Sequence, residues 1–176
     1  HNVEVQAKIQ GGRGAKIKKI VYHGSPNEFA QFDIERSHGM IWLTGNKEYA
    51  AKFGKVKKYE ITLNSPLDVR ECTEEMDLNC WQEILVNLGI DTSNIDWETV
   101  DFAPEYGLYW WYDLLPHAGN NYADGGVLEA IKSAGYDGII APPEHQGEIE
   151  SEETYVVFSV EQIGNINELE GLRSRG

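Results

Sequence analysis

Apolar positions along this chain change period several times, and each change marks the edge of an element. From Lys16 to Tyr22, Ile17, Ile20 and Val21 make a short strand that Gly24-Ser25-Pro26 stops. Phe29 and Phe32 follow in a loop that runs to Gly39. Met40 to Thr44 predicts a second strand, and Asn46 is placed to cap a helix reaching Phe53. Lys55 to Leu63 carries Val56, Tyr59, Ile61 and Leu63 in alternation and is the clearest strand, ended by Ser65-Pro66.

Beyond that point the period becomes helical. Thr73 opens an amphipathic stretch with Met76, Cys80, Ile84, Leu85 and Leu88 on one side, and Gly89 closes it. Residues 90–105 are polar and irregular; Tyr106 to Leu115 is crowded with aromatics and reads as helix up to Pro116. A further helix from Asp124 to Ser133 leads through Gly135-Tyr136-Asp137-Gly138 into a strand, Gly138 to Ala141. The acidic stretch Glu144 to Glu153 then precedes a last strand, Thr154 to Ser159. Strands at both ends around a helical middle, with no regular β-α alternation, predict an α+β domain. Residues 1–14, with Gly11-Gly12-Arg13-Gly14 at their end, read as a loose basic arm, and 15–176 as one domain. The opening at His1 rather than Met suggests either a remnant of expression or a piece cut from a longer protein.

Composition narrows the picture. At 176 residues the chain can bury about two-thirds of its unfolded surface in one core. Its apolar runs are too short to span a bilayer, and the first twenty residues lack a secretory h-region. Cys72 and Cys80, with no second pair, fit neither a zinc site nor a disulfide framework and read as reduced cysteines of a cytoplasmic protein. No histidine pair has metal-ligand spacing, so no metal is expected. The net charge of −14 disfavours non-specific nucleic-acid binding. Any anionic ligand must be met locally, near the basic N-terminal segment, Arg36 or the Lys52 to Lys58 stretch.

Three separated segments could carry chemistry. Tyr22-His23-Gly24-Ser25 stands at a strand end, where glycine lets a ligand approach the backbone and His and Ser can hold sugar hydroxyls; a plain turn with a satisfied histidine is the other reading. Gly39 to Thr44 and then Ala50-Ala51-Lys52-Phe53 offer Trp42 and Phe53 either as core or as an aromatic platform. Thr154-Tyr155-Val156-Val157-Phe158, with Glu161-Gln162-Ile163 behind it, is by itself an ordinary buried strand.

In this order, over Lys18 to Ile163, the segments resemble the ADP-ribosyltransferase superfamily. They look most like the bacterial and phage group found in polyvalent proteins, and more distantly like poly(ADP-ribose) polymerases. The Phe29 to Asp33 loop and the Tyr136 to Ile139 turn belong to the same pattern. The resemblance implies a split β-sandwich with flanking helices and a helical insertion, with NAD as substrate in the cleft. It implies that His23 bonds the nicotinamide ribose, that Gly24 backbone groups grip the carboxamide, and that Ser25 touches a ribose hydroxyl, with Tyr22 in the same segment of the site. Phe53, with Tyr49 as the reserve, would stack behind nicotinamide. Trp42 would face the cleft, and Arg36 in the covering loop would meet the pyrophosphate.

Polymerase-type members place a glutamate at the start of the last strand, to stabilise the oxocarbenium charge that develops on the ribose. Thr154 occupies that position here. Strand alternation makes Glu152 a better substitute than Glu153, provided the strand already runs straight at that point. Five acids between Glu144 and Glu153 favour a basic protein acceptor, such as an arginine side chain, over nucleic acid. The expectation is a mono-ADP-ribosyltransferase in a bacterial host cytoplasm, borne by a phage or mobile element. A degenerate NAD-, ADP-ribose- or partner-binding module and an NAD glycohydrolase are the alternatives. The aromatic run Tyr106 to Tyr112 reads as core or as a protein-contact patch.

Overall fold

The computed structural model describes residues 11–26, 32, 39–72, 78–98, 126–143 and 152–164, and the backbone alone of 75–76, 108–109, 145–146, 149–150 and 165. The chain is a mixed α+β structure dominated by one eight-stranded sheet. Its strands are β1 (Gly12–Arg13), β2 (Ile17–Ser25), β3 (Ile41–Thr44), β4 (Lys55–Leu63), β5 (Pro66–Asp68), β8 (Gly138–Ala141), β11 (Thr154–Val157) and β12 (Ile163–Asn165). Two small hairpins lie outside it: β6 (Glu75–Met76) with β7 (Leu108–Tyr109), and β9 (His145–Gln146) with β10 (Ile149–Glu150). Helices α1 (Lys47–Ala51), α2 (Leu78–Asn87) and α3 (Val127–Ser133) complete the described elements, with a 3-10 turn at Val160–Gln162.

Strand order in the large sheet is β1-β5-β8-β11-β3-β2-β4-β12. Every pairing is antiparallel except β5 with β8. The central strands are apolar without interruption because both of their faces are buried. On one face Ile139, Ala141 and Val156 join Trp81, Ile84 and Leu85 of α2 and Leu128 and Ile131 of α3. On the other, Ile140, Tyr155, Val157, Ile41 and Leu43 join Val21, Tyr59, Ile61 and Leu63 from β2 and β4. The β3–β2 junction between these groups of strands is a single residue pair, Tyr22 opposite Thr44.

β4 and β8 stand as the pattern predicts, while β11 ends at Val157 rather than Ser159 and the Asn46-capped helix at Ala51 rather than Phe53; Asn46 Oδ1 accepts from Glu48 N at 2.9 Å and Tyr49 N at 3.3 Å. Elsewhere tertiary pairing overrides local signals. Strand β2 continues through Gly24 to Ser25 because Lys55 and Val56 of β4 pair with its end. Pro66 begins a strand instead of ending one, a position where its missing N–H is tolerated. Met76 lies in β6, so α2 starts only at Leu78. Leu108–Tyr109, read as helix, is strand β7, and the rest of the expected helical insertion lies outside the described residues. Of the segment read as a loose arm, residues 1–10 lie outside the described residues, whereas Gly12–Arg13 pairs with Leu67 and Asp68 of β5. Arg13 also donates to the α3-terminal carbonyls of Ala134 (2.7 Å) and Gly135 (3.1 Å) and lies over the Tyr136 ring. Cys72 and Cys80 are both buried in the helical core, and no disulfide joins them.

Two motifs near the C-terminus form a knitted corner. The Asp137 carboxylate accepts from Asn64 N (2.7 Å) and Ser65 N (2.9 Å), holding the β4–β5 turn. Gln162 Oε1 accepts from Phe158 N and Ser159 N, while its Nε2 donates to Asp137 O at 2.8 Å. Gly138 fits only without a side chain: a Cβ there would lie 2.6 Å from Val156 O and 2.4 Å from Leu63 Cδ2.

Candidate functional site

Beyond the Tyr22–Thr44 pair, β2 and β3 are no longer paired to one another. A side chain bridges them there: His23 Nδ1 lies 3.1 Å from Trp42 O. A carbonyl only accepts, so Nδ1 carries the proton, and in the neutral ring Nε2 is the acceptor. Burial pushes the His23 pKa below its ordinary 6.5, against the opposing effect of the Trp42 bond, so the ring is neutral near pH 7. Phe32 packs edge-on to His23 at 4.9 Å and lies 5.0 Å from Tyr59.

Where the strands part, a cavity of about 500 Å³ opens. That is within the range of about 300–1,000 Å³ usual for small-ligand sites. Tyr22, His23, Gly24 and Pro26 form one lip, and Trp42, Leu43 and Thr44 the other. Thr154 extends the second wall, and Tyr49, Ala50 and Phe53 close over them from α1 and its C-terminal turn. The register aligns Tyr22, Thr44 and Thr154 in one row across β2, β3 and β11. Directly opposed residues share a face, so these three stand about 5 Å apart in sequence along the row. Thr44 and Thr154 are the two buried polar side chains among the described residues. Thr44 Oγ1 also accepts from Asn46 N at 3.1 Å, which ties the cavity wall to the cap of α1.

Gly24 has a reason different from the one its sequence context suggests. A Cβ there would lie 1.8 Å from Ala50 O, so glycine is what lets α1 seat on β2. The helix, and not only a ligand, needs the close approach. The two aromatic candidates also divide by position. Tyr49 is 5% exposed and Phe53 44%, with their rings in edge contact at 5.4 Å. Tyr49 is therefore part of the roof's packing, and Phe53 is the aromatic with a solvent-facing edge.

The structure thus brings together Tyr22, His23, Gly24, Trp42, Tyr49, Phe53 and Thr154. Ser25 is not among the lining residues; it pairs with Lys55 at the end of β2. Arg36 lies outside the described residues. Thr44, the last residue of the Gly39 to Thr44 segment, belongs to the site; it carries no role of its own in the sequence reading, and a polar residue ending the apolar run Ile41-Trp42-Leu43 is the signal for one.

Glu152 does not line this cavity. The straight-strand premise behind its selection fails: its φ is +59°, left-handed for a non-glycine residue, and β11 begins only at Thr154. The turn sends the Glu152 side chain toward Gly45, where an added Cβ would meet Oε2 at 3.2 Å and Tyr155 Cε2 at 4.0 Å. Glu152 and Glu153 instead line a separate, shallow depression with Arg70 and Pro143. Glu153 accepts from Tyr155 Oη at 2.9 Å and lies 3.7 Å from Arg70, which is also paired to Asp68 at 2.7 Å. Burial and then the Glu153 bond push the Tyr155 phenol well above its ordinary range, so it is a structural donor.

Among the described residues, then, the cavity has a neutral imidazole, two threonines, aromatic and apolar walls, and no carboxylate. Such a lining suits a flat ring and sugar hydroxyls. The family model for ADP-ribosyltransferases in polyvalent proteins matches residues 16–172. Among curated proteins none matches the chain. A solved structure, described as the crystal structure of an anti-CRISPR protein, is 17% identical over 82% of this chain and 92% of that one, with a TM-score of 0.41. A likeness that distant carries no argument here.

Proposed function

Given that the chain belongs to the ADP-ribosyltransferases of polyvalent proteins, a family whose substrate is NAD, we propose that it transfers a single ADP-ribose from NAD to a basic side chain of a protein. The observation that carries this reading is the cavity at the parting of β2 and β3, where His23, Trp42, Thr44 and Thr154 converge under Phe53. On this reading the β2-β4-β12 strands and the β1-β5-β8-β11-β3 strands are the two sheets of a split β-sandwich, with NAD lying between their edges.

His23 Nε2 accepts a hydroxyl of the nicotinamide ribose, Trp42 and Phe53 flank the nicotinamide, and Thr154 meets the ribose where polymerising relatives carry glutamate. The C1′–N bond breaks with its electron pair leaving on nicotinamide, and the acceptor's lone pair closes on C1′ as its proton passes to solvent. Stabilisation of the charge on the ribose is left to neutral dipoles, so the step is slow relative to one with a carboxylate in place. Glu152 serves the acceptor side, where its charge draws a basic group to the end of the Thr154 strand. The setting is the cytoplasm of a bacterial host, reached from a phage or mobile element.

Nicotinamide release from NAD by the purified chain, with labelled ADP-ribose followed onto basic proteins and onto nucleic acid, tests this. His23→Ala is expected to abolish release, and Glu152→Gln to spare release while reducing protein labelling. Preferential labelling of nucleic acid overturns the acceptor assignment. A second reading rests on Thr154 and the carboxylate-free lining: an NAD- or ADP-ribose-binding module without chemistry. Tight NAD binding with no release, even with bacterial lysate as acceptor, decides for it.

A further inference from the structure

Strand alternation puts Glu153 on the face opposite Thr154, so its side chain is turned away from the cavity that Thr154 lines. Register gives that face its company. Asp68 of β5 pairs with Ile140 of β8, and Ile140 with Tyr155 of β11, so Asp68 and Tyr155 stand on one side of the sheet. Arg70, two residues past Asp68, spans the gap between them. It donates to both Asp68 carboxylate oxygens, at 3.0 and 2.7 Å, and lies 3.7 Å from Glu153 Oε1. Tyr155 Oη donates to Glu153 Oε2 at 2.9 Å, so both carboxylate oxygens of Glu153 are engaged. The Glu153 backbone is held as well: its carbonyl accepts from Gly45 N at 3.3 Å.

These contacts sit directly after the strained position. A non-glycine residue persists in the left-handed region, as Glu152 does at φ +59°, where its surroundings over-determine it. The Arg70–Glu153 pair is half exposed and weak by itself, but the Tyr155 phenol and the Gly45 amide act on the same residue. Their effect is specific. In a straight strand Glu152 would share the Thr154 face and stand over the cavity row; with the turn held, its carboxylate lies against Gly45. Gly45 joins Thr44 of the cavity wall to Asn46, the cap of the roof helix. The Glu152 charge is thereby placed at the outer corner of wall and roof, beside the cavity and not within its lining.

We propose that Glu153 is a positioning residue, held by Arg70 and Tyr155, that fixes the Glu152 carboxylate at the Gly45 corner, where the acceptor's basic group is met. This deepens the transfer reading and rests on it; Glu153 itself touches neither NAD nor the acceptor. The experiment follows two quantities in the full chain: amide hydrogen exchange at Gly45, and labelled protein formed per nicotinamide released from NAD. Glu153→Ala is expected to speed Gly45 exchange and to lower labelling per release, each about fivefold, the scale of one exposed ion pair, with release itself nearly unchanged. Glu153→Gln keeps an acceptor for Tyr155 and should show a smaller loss. Arg70→Met should match it, and Arg70→Lys should keep both quantities near those of the wild-type chain. A purely structural role would lower release and labelling together. That result, or a Gly45 amide no faster in Glu153→Ala, or faster exchange with the labelling ratio unchanged, overturns the assignment while leaving the transfer reading intact. If the wild-type chain releases no nicotinamide, or labels no protein, the transfer reading fails and takes this inference with it.

Discussion

The Asp137–Gln162 corner and the His23 cavity are built from motifs of the same kind: short, polar and glycine-containing, at the ends of strands. Their surroundings differ. Asp137 and Gln162 turn theirs inward on the backbone, with two N–H groups on the carboxylate and three bonds on the amide. His23, Thr44 and Thr154 sit where backbone pairing stops, and their side chains border open volume. A motif of the first kind holds the fold together, whereas one of the second kind also borders a cavity of ligand size. His23 and Thr44 bond backbone as well, to Trp42 O and Asn46 N, so the open volume beside them separates the two regions and residue type does not.

Breaking the knitted corner should have the largest effect. Asp137→Ala leaves the Asn64 and Ser65 N–H groups without their acceptor and should lower stability by about 2–4 kcal/mol, at the scale of hydrogen bonds to a charged group. The denaturation midpoint in urea measures it. His23→Ala, which removes one bond to a carbonyl, should cost about 1 kcal/mol while eliminating turnover. If the two variants lose stability equally, the contrast between the regions collapses.

A pH series sharpens the comparison on the cavity side. The His23 pKa is depressed by burial, so the folded state favours the neutral ring. Its contribution to stability is fully present above about pH 6.5 and is lost as pH falls toward the lower folded value, because the unfolded chain takes up the proton first. NAD binding should persist somewhat below pH 6.5 and fail once the folded ring titrates, where Nε2 becomes a donor. Proton NMR of the imidazole, with and without NAD, would follow both. A ring titrating at or above 6.5 in the free protein contradicts the burial assigned to it. The smallest effect belongs to Phe53→Ala: KM for NAD should rise a few-fold, with stability changed by less than about 1 kcal/mol, since the ring is already half in solvent. Tyr49→Phe, tested beside it, should leave KM nearly unchanged if Phe53 is the stacking face.

The amino-acid sequence by itself determined the α+β class, the long β4 strand, the Asn46 cap, the buried Thr154–Val157 strand and the family, because each rests on local periodicity or on a motif read in order. It also gathered most of one cavity wall into the single segment Tyr22-His23-Gly24. Tertiary structure alone decided which glycine serves a helix, that Glu152 turns away at φ +59°, and that Pro66 and Ile163 begin strands. Those outcomes depend on register and on which backbone groups are already bonded. Register shifts by one residue exchange the two faces of a strand, and no local pattern fixes it until the partner strand is in place.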